Sequence, residues 1–290
     1  MSLQRALERH SVPYLLEWAA HRTTGLVTAR QRTLPDFVII GAQRCGTTSL
    51  FKYLTQHPGF HPSLPKEVHY FTLYYAKGLT WYRSHFPLEA GRQRAQETTE
   101  HGFVTGEATP YCMLHPHAPR RLRHTLPNAK LILLLRNPVD RAYSHYHYEV
   151  KMGAETLPFN DALALEETRT SGEEERLLAD ETYRSFNHQH FTFLARGRYA
   201  EQIERWRTYF DAEQMLILDS GDLYKHPLST LGRVTAFVGL PAWTFSGFKR
   251  YNDTHYPQMD PLLRRDLIDY YRPHNRRLYD LVGHDFGWEF

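Results

Sequence analysis

Lysine is scarce in this chain of 290 residues: seven lysines stand against 28 arginines. Cysteine is scarcer still, at two, which excludes a disulfide framework and a cysteine-rich metal site. Long apolar runs are absent. The longest, residues 37–42 and 131–135, fall far short of the ~20 residues a membrane helix needs, so no span is expected. Strong charge of one sign is lacking too: a net +3 gives no argument for a nucleic-acid partner. The first 34 residues have no secretory h-region, because Arg5, Glu8, Arg9 and Glu17 interrupt every apolar stretch. The expectation is a cytoplasmic protein.

What is present is ordinary for a folded domain: 41% hydrophobic and 23% charged residues. Residues 1–34 read as an arm, with a short amphipathic helix around Leu15, Leu16, Trp18 and Ala19 and a polar connector from 23 to 33. The arm is expected to pack on the main domain, residues 35–290, or on a second subunit in a homo-oligomer. Four short apolar runs, residues 37–40, 104–106, 131–135 and 215–218, read as buried strands. Helical patterns separate or follow them at 48–56, 116–126, 138–152, 159–167, 199–210, 227–238 and 260–282. This order predicts an α/β fold of the P-loop type, with three layers and a central parallel sheet flanked by helices. Residues 166–181 carry a net −5 and read as a solvated loop or as a lid near substrate, leaving +8 for the rest.

The sharpest motif runs from Asp36 to Leu50. A hydrophobic strand enters a turn at Gly41, and a helix opens after Gly46. Backbone N–H groups and a helix N-terminus then point at an anion. The spacing Gly41-x4-Gly46-x-Thr48 fits the Walker A frame, but Thr47 stands where its lysine should. A cation survives at Arg44, and Thr47, Thr48 and Ser49 add hydroxyls. No expected strand ends in an acid for Mg²⁺; residues 131–135 end in Arg136 instead. Such a loop suits transfer of a group less charged than phosphoryl, namely sulfuryl, by in-line displacement without a metal. Cys45 lies in the loop, but a phosphatase thiolate needs an arginine six residues on, where Phe51 stands.

A second strand–turn–helix occupies residues 130–146. Arg136 marks the strand exit, at the sheet edge where ligands bind, and Pro138 opens the helix. Ser144, about two turns in, is placed to share an anion with Arg136. The alternative is that Arg136 pairs with Asp140. Paired histidines His145/His147 and His188/His190, two apart, do not share a helix face, so no metal site is expected.

These residues resemble the PAPS-dependent sulfotransferases (PAPS is 3′-phosphoadenosine-5′-phosphosulfate). Residues 41–50 resemble the family's 5′-phosphosulfate loop, and residues 136–144 its 3′-phosphate element. Lys66-Glu67-Val68-His69-Tyr70-Phe71 is similar to the base-bearing segment of heparan-sulfate O-sulfotransferases, and Gly106-Glu107-Ala108-Thr109-Pro110-Tyr111 to the segment that accompanies it. Residues 196–206 and the tail from Tyr256 to Trp288 resemble bacterial members. The resemblance implies PAPS as donor, PAP as product, no metal, and a hydroxyl acceptor, with carbohydrate favoured over lipid or small molecule. It implies cofactor contacts from Arg44, Cys45, Gly46, Thr47, Thr48, Ser49, Arg136, Ser144 and Tyr199. It gives Glu67 the role of general base beside Arg44 and His69. An extended 66–71 segment would put Glu67, His69 and Phe71 on one face. Three positions depart from the family: Arg44 for its usual lysine, Ala108 for the lysine of the heparan-sulfate enzymes, and Asn252-Asp253-Thr254-His255 where a Lys-Gly-Arg loop is common. Tyr74, Tyr75, Trp81 and Tyr82 read as packing or as a wall for the acceptor. The rival readings are a small-metabolite kinase and a decayed nucleotide- or glycan-binding module.

Overall fold

The computed structural model describes residues 24–251 and 255–288. Five parallel strands form one sheet in the order β2-β3-β1-β4-β5. They are β1 (Phe37–Gly41), β2 (Phe60–Pro62), β3 (Val104–Ala108), β4 (Lys130–Leu135) and β5 (Met215–Asp219). β1 and β3 are buried at every position, as inner strands covered on both faces must be. Register sets the working edge: Leu135 lies opposite Asp219, so β4 and β5 end together. Gly106 lets the Phe37 ring cross β3, because a Cβ there would meet it at 2.6 Å.

The helices that matter below are α1 (Thr47–Leu54), α2 (Pro138–Met152), α3 (Tyr199–Arg207), α4 (Ser220–Lys225), α5 (Pro227–Val238) and α6 (Pro261–Val282). Leu50 and Leu54 of α1, Ile203 and Trp206 of α3, Leu231 and Val234 of α5, and Leu278 of α6 share one core with the strands. Val139 and Ala142 of α2 pack on Leu267 and Tyr271 of α6 in a second cluster. Asp260 caps α6 by accepting the N–H groups of Leu262 and Leu263 at 2.9 and 3.0 Å. No helix among the described residues is long and apolar enough to cross a membrane.

Several expectations need correction. β2 was not expected. The strand expected at 104–106 runs on to Ala108 and buries Glu107. The helix expected at 159–167 breaks into Phe159–Ala164 and Glu166–Thr170. The acidic stretch is not a solvated loop, although Glu167, Glu175, Asp180 and Glu181 are exposed. It folds as Glu166–Thr170 and Glu173–Ala179, and two of its acids are buried and bonded. Glu166 accepts N–H groups from Leu194 and Ala195 at 2.6 and 2.8 Å, and Glu173 accepts the hydroxyls of Tyr183 and Ser185. The polar connector is docked rather than loose: Arg32 donates to the carbonyl of Phe86 at 2.6 Å, and the Thr33 N–H to that of Pro87 at 2.9 Å. The helix expected around residues 15–19 lies outside the described residues.

Candidate active site

The anion loop forms where β1 leaves the sheet. Gly46 caps α1 with φ 91°, and a Cβ there would also meet the Tyr224 hydroxyl at 2.8 Å. Arg44 adopts φ 70°, a left-handed conformation that costs a non-glycine residue energy and that clusters at functional sites. Its Nε donates to Ser144 Oγ at 3.2 Å, and its guanidinium lies 4.9 Å from the Tyr148 ring centre. The loop is thus joined to α2.

β4 ends at Leu135 and delivers Arg136 to the same place. Asn137 caps α2 by accepting the Val139 N–H at 3.0 Å, so the turn after Arg136 is fixed. The pairing of Arg136 with Asp140 does not form as an ion pair, because Asp140 instead meets Arg264 at 2.7 Å. Burial opposes the charge on Arg136, but Tyr256 and then Asp140 outweigh it and hold the guanidinium above its usual range.

Arg44, Gly46, Thr47, Thr48, Arg136 and Ser144 line one cavity of about 470 Å³. Its remaining wall comes from distant segments: Tyr256 and Trp288 bound the tail whose sequence resembles bacterial members, whereas Lys225 with Tyr224 and Arg250 with Tyr251 stood in no motif. Arg250 lies over the Tyr224 ring at 4.4 Å, so it faces the cavity, whereas Lys249 does not line it. Residues 252–254 lie outside the described residues. Against expectation, one strand does end in an acid: Asp219 closes β5 and lines this cavity, where it accepts the Gly221 N–H and, at 3.2 Å, the Trp288 indole N–H, while the Trp288 carbonyl accepts from Asn137 at 3.3 Å.

Three expected cofactor contacts stand one layer behind this cavity. Cys45 is fully buried, with its sulfur 3.7 Å from the Tyr199 hydroxyl, and burial pushes its thiol up, away from thiolate chemistry. Tyr199 donates to the Arg136 carbonyl at 2.8 Å and so fixes that residue's backbone. Ser49 accepts the Tyr251 N–H at 3.1 Å and meets the Tyr224 hydroxyl at 3.2 Å, tying the 250s segment to α1. Their side chains brace the cavity's walls.

A second, smaller cavity of about 190 Å³ opens on the other side of Arg44, Thr47 and Thr48. Glu67 and His69 line it, with His69 Nε2 3.4 Å from Glu67 Oε2. They converge, though not by an extended segment: His69 has φ 56°, and Phe71 turns inward to full burial. The segment hangs on β3 and on Thr109 just beyond its end. Lys66 O accepts the Ala108 N–H, the His69 N–H reaches Thr109, and the Val68 N–H reaches the buried Glu107. Tyr82 and Thr109 hydroxyls also donate to Glu107, each at 2.6 Å, while burial raises its pKa.

Lys66 is a site residue that motif reading passed over. Its ammonium donates to Glu67 at 2.9 Å and to the Thr48 hydroxyl at 3.1 Å. It returns in space the lysine that the loop lacks in sequence. Burial opposes ionisation of Glu67, but Lys66 first and then His69 outweigh it and draw the carboxyl down to about 2. Tyr74, Tyr75, Trp81 and Tyr82 line neither cavity; Tyr82 stacks on Tyr70 with centroids 4.4 Å apart. No group of three or more His, Cys, Asp or Glu that could hold a metal occurs among the described residues.

The chain matches the sulfotransferase domain family over residues 34–258 and belongs to that family. It is similar to the human heparan sulfate glucosamine 3-O-sulfotransferase 3A1, 30% identical with 91% of this chain and 64% of that one covered. It is also similar to the membrane-associated sulfotransferase kil1 of Dictyostelium discoideum, 29% identical with 88% and 67% covered. The chain therefore spans about two thirds of the length of these curated relatives. A solved sulfotransferase from Alicyclobacillus acidocaldarius shares the fold, with TM-score 0.67, 29% identity, and 89% of this chain and 100% of that one covered. The chain is an enzyme of the sulfotransferase class, and its central parallel sheet flanked by helices is the one expected.

Proposed function

We propose that this enzyme moves the sulfuryl group of PAPS to a hydroxyl of a carbohydrate acceptor, with Glu67 as general base. The observation that carries this reading is the junction: a cationic cavity and a cavity holding a carboxylate share Arg44, Thr47 and Thr48. The larger cavity suits PAPS because Arg44, Arg136, Lys225, Arg250 and the N-terminus of α1 face a ligand bearing several negative charges. Arg136 and Ser144 take the 3′-phosphate, and the loop takes the 5′ end. PAPS supplies an activated sulfuryl group. Glu67, kept ionised, accepts the proton of the acceptor hydroxyl as that oxygen bonds to sulfur. Arg44 faces the charge that develops on the departing 5′-phosphate oxygen. The human 3-O-sulfotransferase, by its name an enzyme acting on heparan sulfate glucosamine, supports the choice of a carbohydrate.

The test is a thermal-shift series with PAP, 5′-AMP, ADP and ATP, with and without Mg²⁺, and then PAPS turnover. PAP at 100 times its Kd is expected to stabilise the fold by ~2.7 kcal/mol without metal, and more than 5′-AMP at equal concentration. Glu67→Gln is expected to bind PAP as the parent does and to transfer nothing. Stabilisation by ATP only with Mg²⁺ would establish the kinase reading instead. Equal loss of PAP binding and turnover in Glu67→Gln would make Glu67 structural.

A further inference from the structure

The smaller cavity has a second carboxylate–imidazole pair that the transfer step leaves unused. Glu149, in α2, is buried, and its two oxygens are taken by two histidines: His145 Nε2 at 3.1 Å and His190 Nδ1 at 2.9 Å. Burial works against this carboxylate, but the hydrogen bonds from His145 and His190 overcome it and bring it down to about 2. Glu149 is therefore an anion with both oxygens engaged, and each imidazole presents an N–H to it. His145 is fully buried and completes the support from behind.

His190 is a quarter exposed and lines the same cavity as Glu67. With Nδ1 committed as donor to Glu149, its Nε2 is the free ring nitrogen, a hydrogen-bond acceptor in the neutral ring. A buried anion that orients an imidazole through Nδ1 is the usual way a protein fixes which nitrogen faces a ligand. Glu67 and His190 are thus two acceptors on the wall of one cavity, each backed by its own partner.

We infer that His190, oriented by Glu149, is a specificity-determining residue that accepts a hydrogen bond from a second hydroxyl of the acceptor. Selection then favours an acceptor carrying two hydroxyls over one carrying a single hydroxyl. Glu149 acts through His190 as a positioning residue. This inference rests on the sulfuryl-transfer reading above.

The experiment compares trans-1,2-cyclohexanediol with cyclohexanol as PAPS acceptors in the parent and in His190→Ala. The parent should favour the diol. His190→Ala should cut the diol's kcat/KM by roughly tenfold, mostly through KM, the size of one neutral hydrogen bond. It should leave cyclohexanol turnover and PAP affinity unchanged. In PAP-bound protein labelled with ¹⁵N-histidine, the diol should shift the His190 Nε2 resonance and cyclohexanol should not. Glu149→Gln should give the same loss of preference through KM. Equal loss on both alcohols, no loss on either, or an unmoved Nε2 resonance would overturn the inference and leave transfer standing. A parent that binds PAP yet sulfates neither alcohol nor any sugar would overturn the transfer reading and this inference with it.

Discussion

Arg44 holds a left-handed backbone, donates to Ser144 on α2 and borders both cavities, so one residue joins the loop, the helix and the two chambers. Arg44→Ala should lower kcat by roughly 10²–10³, the cost of one preorganised charge-stabilising group, with less change in PAP affinity. Steady-state kinetics checks this, and an unaltered kcat would remove Arg44 from the chemistry. Lys66 works on the opposite side. The Glu67 carboxyl, at about 2, stays ionised far below neutral pH, so its protonation does not limit the free enzyme on mild acidification. Lys66→Met removes the strongest influence lowering that value. The acid limb of kcat/KM should then move up from about 2 toward the ordinary 4.5. A pH–rate profile that stays put would show that the free enzyme's acid limb belongs to another group.

At the scale of elements, the buried acids of the 166–181 stretch matter most for integrity. Glu166→Ala strands the N–H groups of Leu194 and Ala195 and should cost roughly 2–4 kcal/mol, read as a lower urea midpoint at constant slope. The sequence hid this, because a run of acids looks solvated unless its partners, here some 28 residues downstream, are known. β1 and β4 were legible for the opposite reason, being continuous apolar runs buried at nearly every position. β2 was not, since three residues ending in Pro62 at the sheet edge carry no period. The helix Glu89–Thr98 was not legible either, because it buries no residue and so has no apolar face. The same logic divides the site. Arg44, Thr47, Thr48, Arg136, Ser144, Glu67 and His69 sit in contiguous motifs and do line the cavities. Lys66 hid beside Glu67 because its meaning depends on Thr48. Glu149, His190, Arg250 and Trp288 come together only when separate segments fold onto one edge.

Across the whole molecule, buried neutral histidines set the response to acid. Burial draws His145 and His188 from 6.5 to about 3, and His115 well below 6.5. The unfolded chain therefore binds these protons first, and stability falls as pH drops from about 6.5 toward 3. Glu149, lowered from 4.5 to about 2, adds a loss in the same direction below 4.5. The urea midpoint at pH 5 should lie below that at pH 7.5; equal midpoints would mean these rings are hydrated and titrate normally.

The shared wall of Arg44, Thr47 and Thr48 has a kinetic consequence. Two chambers that share this wall can both be full at once, and the Cys45 thiol is buried and lines neither. On the proposed transfer reading, turnover is expected to run through a ternary complex with no sulfated enzyme between half-reactions. Double-reciprocal plots for donor and acceptor should intersect rather than run parallel, and a single molecule that spans both chambers should compete with each substrate.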